Sequence, residues 1–141
     1  MSKPAELMRI LLVEDSLADI ELTLEALSGA KVANEVEVVR DGAAAIEYLN
    51  AAAGNLPDMV ILDLNLPRLS GHEVLAMMRA DEILRRLPVA VLTTSSAEAD
   101  VVRTYDLGAN CFLTKPVDVD QFVHVVQSID DFWLGLVRLP Q

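Results

Sequence analysis

The stretch VILDLNLPRLSG, Val60 to Gly71, decides how this chain folds. With Met59 just ahead of it, it opens as an apolar run suited to a strand covered on both faces, and it stops on a carboxylate, Asp63. Asn65, Pro67 and Gly71 then mark a loop. A charge at the end of a water-excluding strand is unfavourable unless something pairs with it. The partner has to come from elsewhere in the chain.

Working outward, Ser70 and Glu73 carry a capping-box signature that opens a helix over VLAMMRA. Upstream, AAAIEYLNAAAG is helix-forming after the Asp41–Gly42 turn and ends at Gly54, and EVEVV (Glu35 to Val39) alternates as an edge-like strand does. Nearer the start, MRILLV (Met8 to Val13) suits a buried first strand. Ser16 with Asp19 signals a second capping box, ahead of a helix carrying Ile20, Leu24 and Leu27 and closed by Gly29. Downstream, Leu87 to Leu92 is a fourth strand, Ser95 and Glu98 cap a fourth helix ending near Gly108, and CFLT is a fifth strand. Asp118 and Gln121 open a last helix with Phe122, Val125, Val126, Ile129, Phe132 and Trp133 along one stripe. Five strands and five helices in strict alternation predict an α/β fold, a doubly wound five-stranded parallel sheet.

The 141 residues fit a single domain over 1–141, with an extended C-terminal helix and tail from about residue 130 and no room for an output domain. A net charge of −11 argues against nucleic acid as partner, because phosphate backbones are met by Lys and Arg. No apolar run approaches the roughly 20 residues of a membrane span. The N-terminal MSKPAELMRILLVED reads as a first strand rather than a leader, which places the chain in the cytoplasm. Cys111 is the only cysteine and reads as a small buried thiol.

Ligands of open doubly wound sheets bind beyond the carboxyl ends of the strands, where strand order reverses. In the order 2-1-3-4-5 that point lies between strands one and three. Strand one ends in Glu14 and Asp15 and strand three in Asp63, so that order, if it holds, brings three carboxylates to one crevice. Two such charges about 4 Å apart repel by roughly 4 kcal/mol at an effective dielectric of 20. The cluster therefore asks for a cation, and an all-oxygen set with few protein ligands favours Mg2+. His72 and His124 read as surface or groove residues, so zinc has no competing site. Strand four brings Thr93 as a hydroxyl donor, and strand five brings Lys115 as a mobile point charge. Singly, each residue could merely cap its strand. Together they make a pocket for a phosphoryl group on a carboxylate.

LLVEDS, DLNLPRLSG, VLTTS and LTKP, in that order, resemble the signatures of the response regulator receiver domain, over Met8 to about Phe132. The resemblance implies the chemotaxis-type (βα)5 fold and the strand order 2-1-3-4-5. It further implies Asp63 as phosphoacceptor, Mg2+ held by Asp15, Asp63 and the backbone carbonyl of Asn65, and Glu14 acting through water. Lys115 would pair with the phosphate, Thr93 would turn inward to bond it, and Phe112 would be the switch aromatic. The Lys115–Pro116 bond would be cis, and the face of the fourth helix, fifth strand and fifth helix would change shape. Glu14 stands where many members have Asp, Phe112 lacks a phenolic hydroxyl, and Asn65 and Ser95 are neutral beside the path of a hydrolytic water.

LTTSSAEADVVRTYDLGANCFLTKP followed by IDDFWLGLVRLP is similar to the single-domain regulators of phytochrome-type histidine kinases. This implies a bacteriophytochrome sensor kinase as partner and a homodimer through Trp133, Leu136 and Val137. The alternative is an enzyme, an Mg2+-dependent phosphatase of the haloacid dehalogenase type. That class carries a second acid two residues after the nucleophile, where this chain has Asn65. A receiver reduced to a docking module would not need the acids, Thr93 and Lys115 intact. A flavin-binding protein would not place VEDS against the cofactor's phosphate.

Overall fold

The computed structural model describes residues 7–29, 33–52, 54–94 and 106–127. Strands β1 (Met8–Val13), β2 (Asn34–Val39), β3 (Met59–Asp63), β4 (Val89–Thr93) and β5 (Cys111–Thr114) form one sheet in the order β2-β1-β3-β4-β5. Every neighbouring pair is parallel. Helices α1 (Leu17–Gly29), α2 (Gly42–Ala51) and α3 (Gly71–Ala80) join the early strands, and a further helix spans 119–127.

Residue parity along the strands explains the layering, because alternate side chains face opposite sides of a sheet. Leu11, Val13, Val60, Leu62, Val89 and Val91 pack with Ala45 and Leu49 of α2 and Val74, Leu75 and Met78 of α3. Ile10, Leu12, Met59, Ile61, Ala90 and Leu92 pack on the other face with Ile20 and Leu27 of α1 and with Phe122, Val125 and Val126 of the last helix. Both faces are covered, which is why β3 and β4 are buried along their whole length while β2 alternates between half-buried and exposed.

The local signals at the helix starts are met unevenly. Asp41 accepts the amide of Ala44 at 2.7 Å to cap α2. Ser70 and Glu73 make the full reciprocal box at α3, with Glu73 N–H donating to Ser70 Oγ and Ser70 N–H to Glu73 Oε1. At α1 only half of the expected box exists. Asp19 N–H donates to Ser16 Oγ, but Ser16 N–H donates to Glu14 Oε2, and the Asp19 carboxylate turns away. The fourth strand begins at Val89 rather than Leu87. Leu84–Arg86 form a 3-10 turn that Leu87 closes by donating its N–H to Leu84 O, and Pro88 has no N–H for a ladder.

Arg79 of α3 fixes the approach to the last two strands. Its guanidinium donates to the carbonyls of Arg85, Leu87 and Gly108 and to Asn110 Oδ1, which also accepts the amide of Val89. With the starts of β4 and β5 held, the positions of Thr93 and Lys115 at their far ends follow. The start of the expected fourth helix, with Ser95 and Glu98, and the stripe beyond residue 127, with Ile129, Phe132, Trp133, Leu136 and Val137, lie outside the described residues. Among the described residues, no helix is long and apolar enough to cross a membrane.

Candidate functional site

The crevice between β1 and β3 at their carboxyl ends answers the question raised by Asp63. The register pairs Val13 with Leu62, so the residues next along each chain, Glu14 and Asp15 after β1 and Asp63 as the last residue of β3, project to the same edge. Glu14, Asp15 and Asp63 each offer an oxygen within 4.8 Å of the others. Glu14 is wholly buried and Asp63 is 1% exposed, so neither charge is neutralised by bulk water.

Lys115, following β5, supplies the protein's own counter-charge. Its Nζ lies 2.9 Å from Glu14 Oε1, 2.9 Å from Asp19 Oδ2 and 3.3 Å from Asp63 Oδ2. Its amide donates to Thr93 O at 3.0 Å, tying the lysine to the end of β4, and the Lys115–Pro116 peptide is cis. Thr93 is buried beside this edge. Phe112, one strand over, is half-buried against the cluster on the α2–α3 face. Asn65 N–H donates to Asp63 Oδ1 at 3.1 Å, which aims the carboxylate and leaves Oδ2 towards Lys115.

The loop after β3 is shaped by close backbone approach. Arg68 adopts a left-handed φ of 63°, and Gly71 N–H returns to Leu64 O at 3.1 Å. A methyl on Gly71 would stand 2.2 Å from Asp63 O and 2.6 Å from Leu64 Cα, so the first residue of α3 is pressed against the strand end that carries the acid.

Two neighbours of the site carry no signal as functional residues in the sequence. Asp19 reads locally as a helix-start acid, yet its carboxylate meets Lys115 from 96 residues away. Arg40, at the end of β2, donates from Nη2 to the backbone carbonyl of Asp15 at 2.7 Å. Only the strand order, which sets β2 beside β1, brings Arg40 there. His72 is half-buried and His124 exposed, and neither belongs to the acid cluster. Cys111 is half-buried, and burial pushes its thiol up to about 11, which leaves it a weak nucleophile at neutral pH.

The electrostatics favour a divalent cation. Three carboxylates face one ammonium, Asp15 adds a fourth acid at the same edge, and Glu14 Oε1, buried at ion-pair distance from Lys115, makes no hydrogen bond. At about 5 Å and an effective dielectric of 20, each pair of acids repels by roughly 3 kcal/mol. An all-oxygen set of this kind suits a hard divalent ion. Burial pushes the Glu14 carboxyl above its ordinary 4.5, and the Asp63 charge adds to it against the opposing Lys115 ammonium and Ser16 amide. Burial alone would lower the Lys115 ammonium, but Glu14, Asp19 and Asp63 outweigh it and hold the value above normal.

The sign of the resulting pH dependence is definite. Without metal the folded chain holds the Glu14 proton more tightly than the unfolded chain, so that group's contribution to stability is present below 4.5 and lost as pH climbs through its raised value. Metal requires the deprotonated carboxylate, so its affinity runs the other way and falls as pH drops towards that value. Calorimetric titration with Mn2+ between about pH 7 and pH 5 should show weakening affinity and proton release on binding. A flat profile would remove Glu14 from the metal's surroundings.

Comparison with known proteins supplies the relatives. A family profile described as the response regulator receiver domain matches residues 10–127. Response regulator Rcp1 of Synechocystis sp. is 44% identical over 135 residues, spanning 93% of this chain and 92% of Rcp1. A crystal structure of the Mn2+-bound form of Rcp1 superposes with a TM-score of 0.70 at 42% identity, covering 92% of this chain and 96% of Rcp1. The bacteriophytochrome response regulator RtBRR superposes with a TM-score of 0.79 at 47% identity, covering 87% of this chain and 78% of its own. The phosphorylated cyanobacterial phytochrome response regulator RcpA gives 0.73 at 45% identity, covering 95% and 99%.

Proposed function

The chain belongs to the response regulator receiver family, and we propose that it accepts a phosphoryl group on Asp63 from the phosphohistidine of a phytochrome-type sensor kinase. The observation that carries this reading is the convergence of Glu14, Asp15, Asp63 and Lys115 at one edge of the sheet. The names of its relatives, bacteriophytochrome and phytochrome response regulators, support the choice of kinase.

Asp63 supplies a carboxylate oxygen as the nucleophile. Its oxygen attacks phosphorus in line, and the phosphorus–nitrogen bond breaks with its electron pair returning to the kinase imidazole. Lys115 steadies an equatorial phosphoryl oxygen. Asp15, Asp63 and the Asn65 carbonyl would hold Mg2+, with Glu14 acting through water. When bound, that ion neutralises charge on the transferring group. Afterwards the Thr93 hydroxyl turns towards the acyl phosphate, and Phe112 moves into the space it leaves. About two added negative charges bias such a two-state element.

We read the chain as one signalling domain over 1–141, acting in the cytoplasm on protein partners and not as an enzyme. Asn65, two residues after Asp63, has no titratable proton to give a leaving group, which disfavours the phosphatase alternative. The net charge of −11 suits protein partners better than nucleic acid, and the apolar residues after 130 suit a homodimer. Incubation with a radiolabelled, phosphorylated phytochrome-type kinase should move a hydroxylamine-labile label onto the chain in Mg2+ and not in chelator. Label that stays on the kinase in Mg2+ overturns the proposal.

A further inference from the structure

The Lys115 ammonium has three N–H donors, and three carboxylates stand around it, Glu14 and Asp19 at 2.9 Å and Asp63 at 3.3 Å. A phosphoryl group on Asp63 takes over the Asp63 contact, because the carboxylate becomes an acyl phosphate, and its oxygens stand farther out with more charge, so the ammonium is drawn outward and one of its two remaining contacts yields. Glu14 is the poor choice. It is wholly buried, and its Oε1 has no hydrogen bond to fall back on. Abandoning it leaves a wholly buried carboxylate with the Ser16 N–H on Oε2 but no counter-charge on Oε1, a costly outcome for a buried charge. Asp19 differs in place and in solvation. It stands in the first turn of α1, outside the three-acid group, and its side chain is 31% exposed, so water replaces a lost bond.

The geometry points to Asp19 as a positioning residue that holds Lys115 at the outer rim of the crevice and releases it to the phosphoryl group. Asp19 is held ready for this by its own backbone. Its N–H donates to Ser16 Oγ, and Ile20 N–H donates to Ser16 O, which fixes the first turn of α1 while the Asp19 carboxylate reaches the lysine. Asp19 thereby sets how strongly the resting chain competes with the phosphoryl group for its own lysine. The inference rests on the phosphoacceptor reading and specifies one of its contacts.

The full chain and its Asp19→Asn and Asp19→Glu variants would be titrated calorimetrically with Mn2+ alone, and with beryllofluoride in saturating Mg2+ as a phosphoryl mimic. A partly exposed ion pair of this kind is worth about a two- to fivefold change in an equilibrium. Asp19→Asn should therefore bind beryllofluoride about two- to fivefold more tightly, and Asp19→Glu should return the affinity towards wild type. In a Lys115→Gln background the gain from Asp19→Asn should vanish. A gain that persists there means Asp19 acts by its charge alone, and positioning is overturned. Unchanged or weaker binding by Asp19→Asn, beside a wild type that binds, also overturns it. A wild type that takes up neither beryllofluoride nor kinase label overturns the phosphoacceptor reading, and this inference with it.

Discussion

Asp63→Asn is expected to abolish phosphoryl labelling of the chain, to less than about one part in a hundred of the wild-type signal, because the amide offers no nucleophilic oxygen. The substitution is nearly isosteric, so the fold is not the casualty. The stability readings make the prediction sharper. Asp63 is 1% exposed and its charge helps to push the Glu14 carboxyl upward, so removing it relieves repulsion between buried acids. In chelator the variant should melt no lower than wild type. In divalent metal the order reverses, because a ligand at a hundredfold excess over its Kd stabilises by about 2.7 kcal/mol. The variant loses most of that gain. Label retained by Asp63→Asn would move the phosphoacceptor to another residue. A metal-dependent rise in Tm equal to wild type would remove Asp63 from the metal's ligands.

That reversal is a property of the sheet as much as of Asp63, and the sheet is the part of the molecule most legible in the sequence. A strand buried on both faces must be apolar throughout, so Met59 to Leu62 announces itself, and the acid that interrupts it marks the strand's end. Glu14, Asp15, Thr93 and Lys115 are legible for the same reason, since each follows such a run. Helix starts are legible where capping is a local reciprocal contact, as at Ser70 and Glu73.

Legibility fails where a residue's partner is distant in the chain. Asp19 has the spacing of a capping acid, and nothing within α1 says that its carboxylate will turn to a lysine on the opposite side of the crevice. Arg40 is one exposed arginine in an acidic chain, and its bond to the Asp15 carbonyl follows only from β2 lying beside β1. Leu87 has the composition of a strand residue, but the 3-10 turn at Leu84–Arg86 takes its amide. These three depend on tertiary placement, which overrides local pattern.

Gly71→Ala is the companion prediction, and its sign separates local from tertiary reasoning. By helix propensity alone, alanine at the first residue of α3 should stabilise the chain by about 0.4–1 kcal/mol. The contact argues the opposite. The new methyl would meet backbone atoms at 2.2 Å and 2.6 Å, Asp63 O and Leu64 Cα, and neither is the free end of a side chain that swings aside. Either α3 lifts from the sheet or the end of β3 is pushed inward, and overpacking of a tight site costs about 3 kcal/mol. For a chain of this size that is a fall in Tm of about 6–12 °C. The displaced atom belongs to Asp63 itself, so Mn2+ affinity should drop alongside stability. It should fall even in the fraction of protein still folded at low temperature, because the Asp63 carboxylate no longer shares its edge with Glu14 and Asp15 as closely. Differential scanning calorimetry and metal titration read the two effects separately. A variant as stable as wild type that binds Mn2+ equally well would mean that the strand end tolerates a shifted helix, and that the position of Asp63 is set by β3 alone.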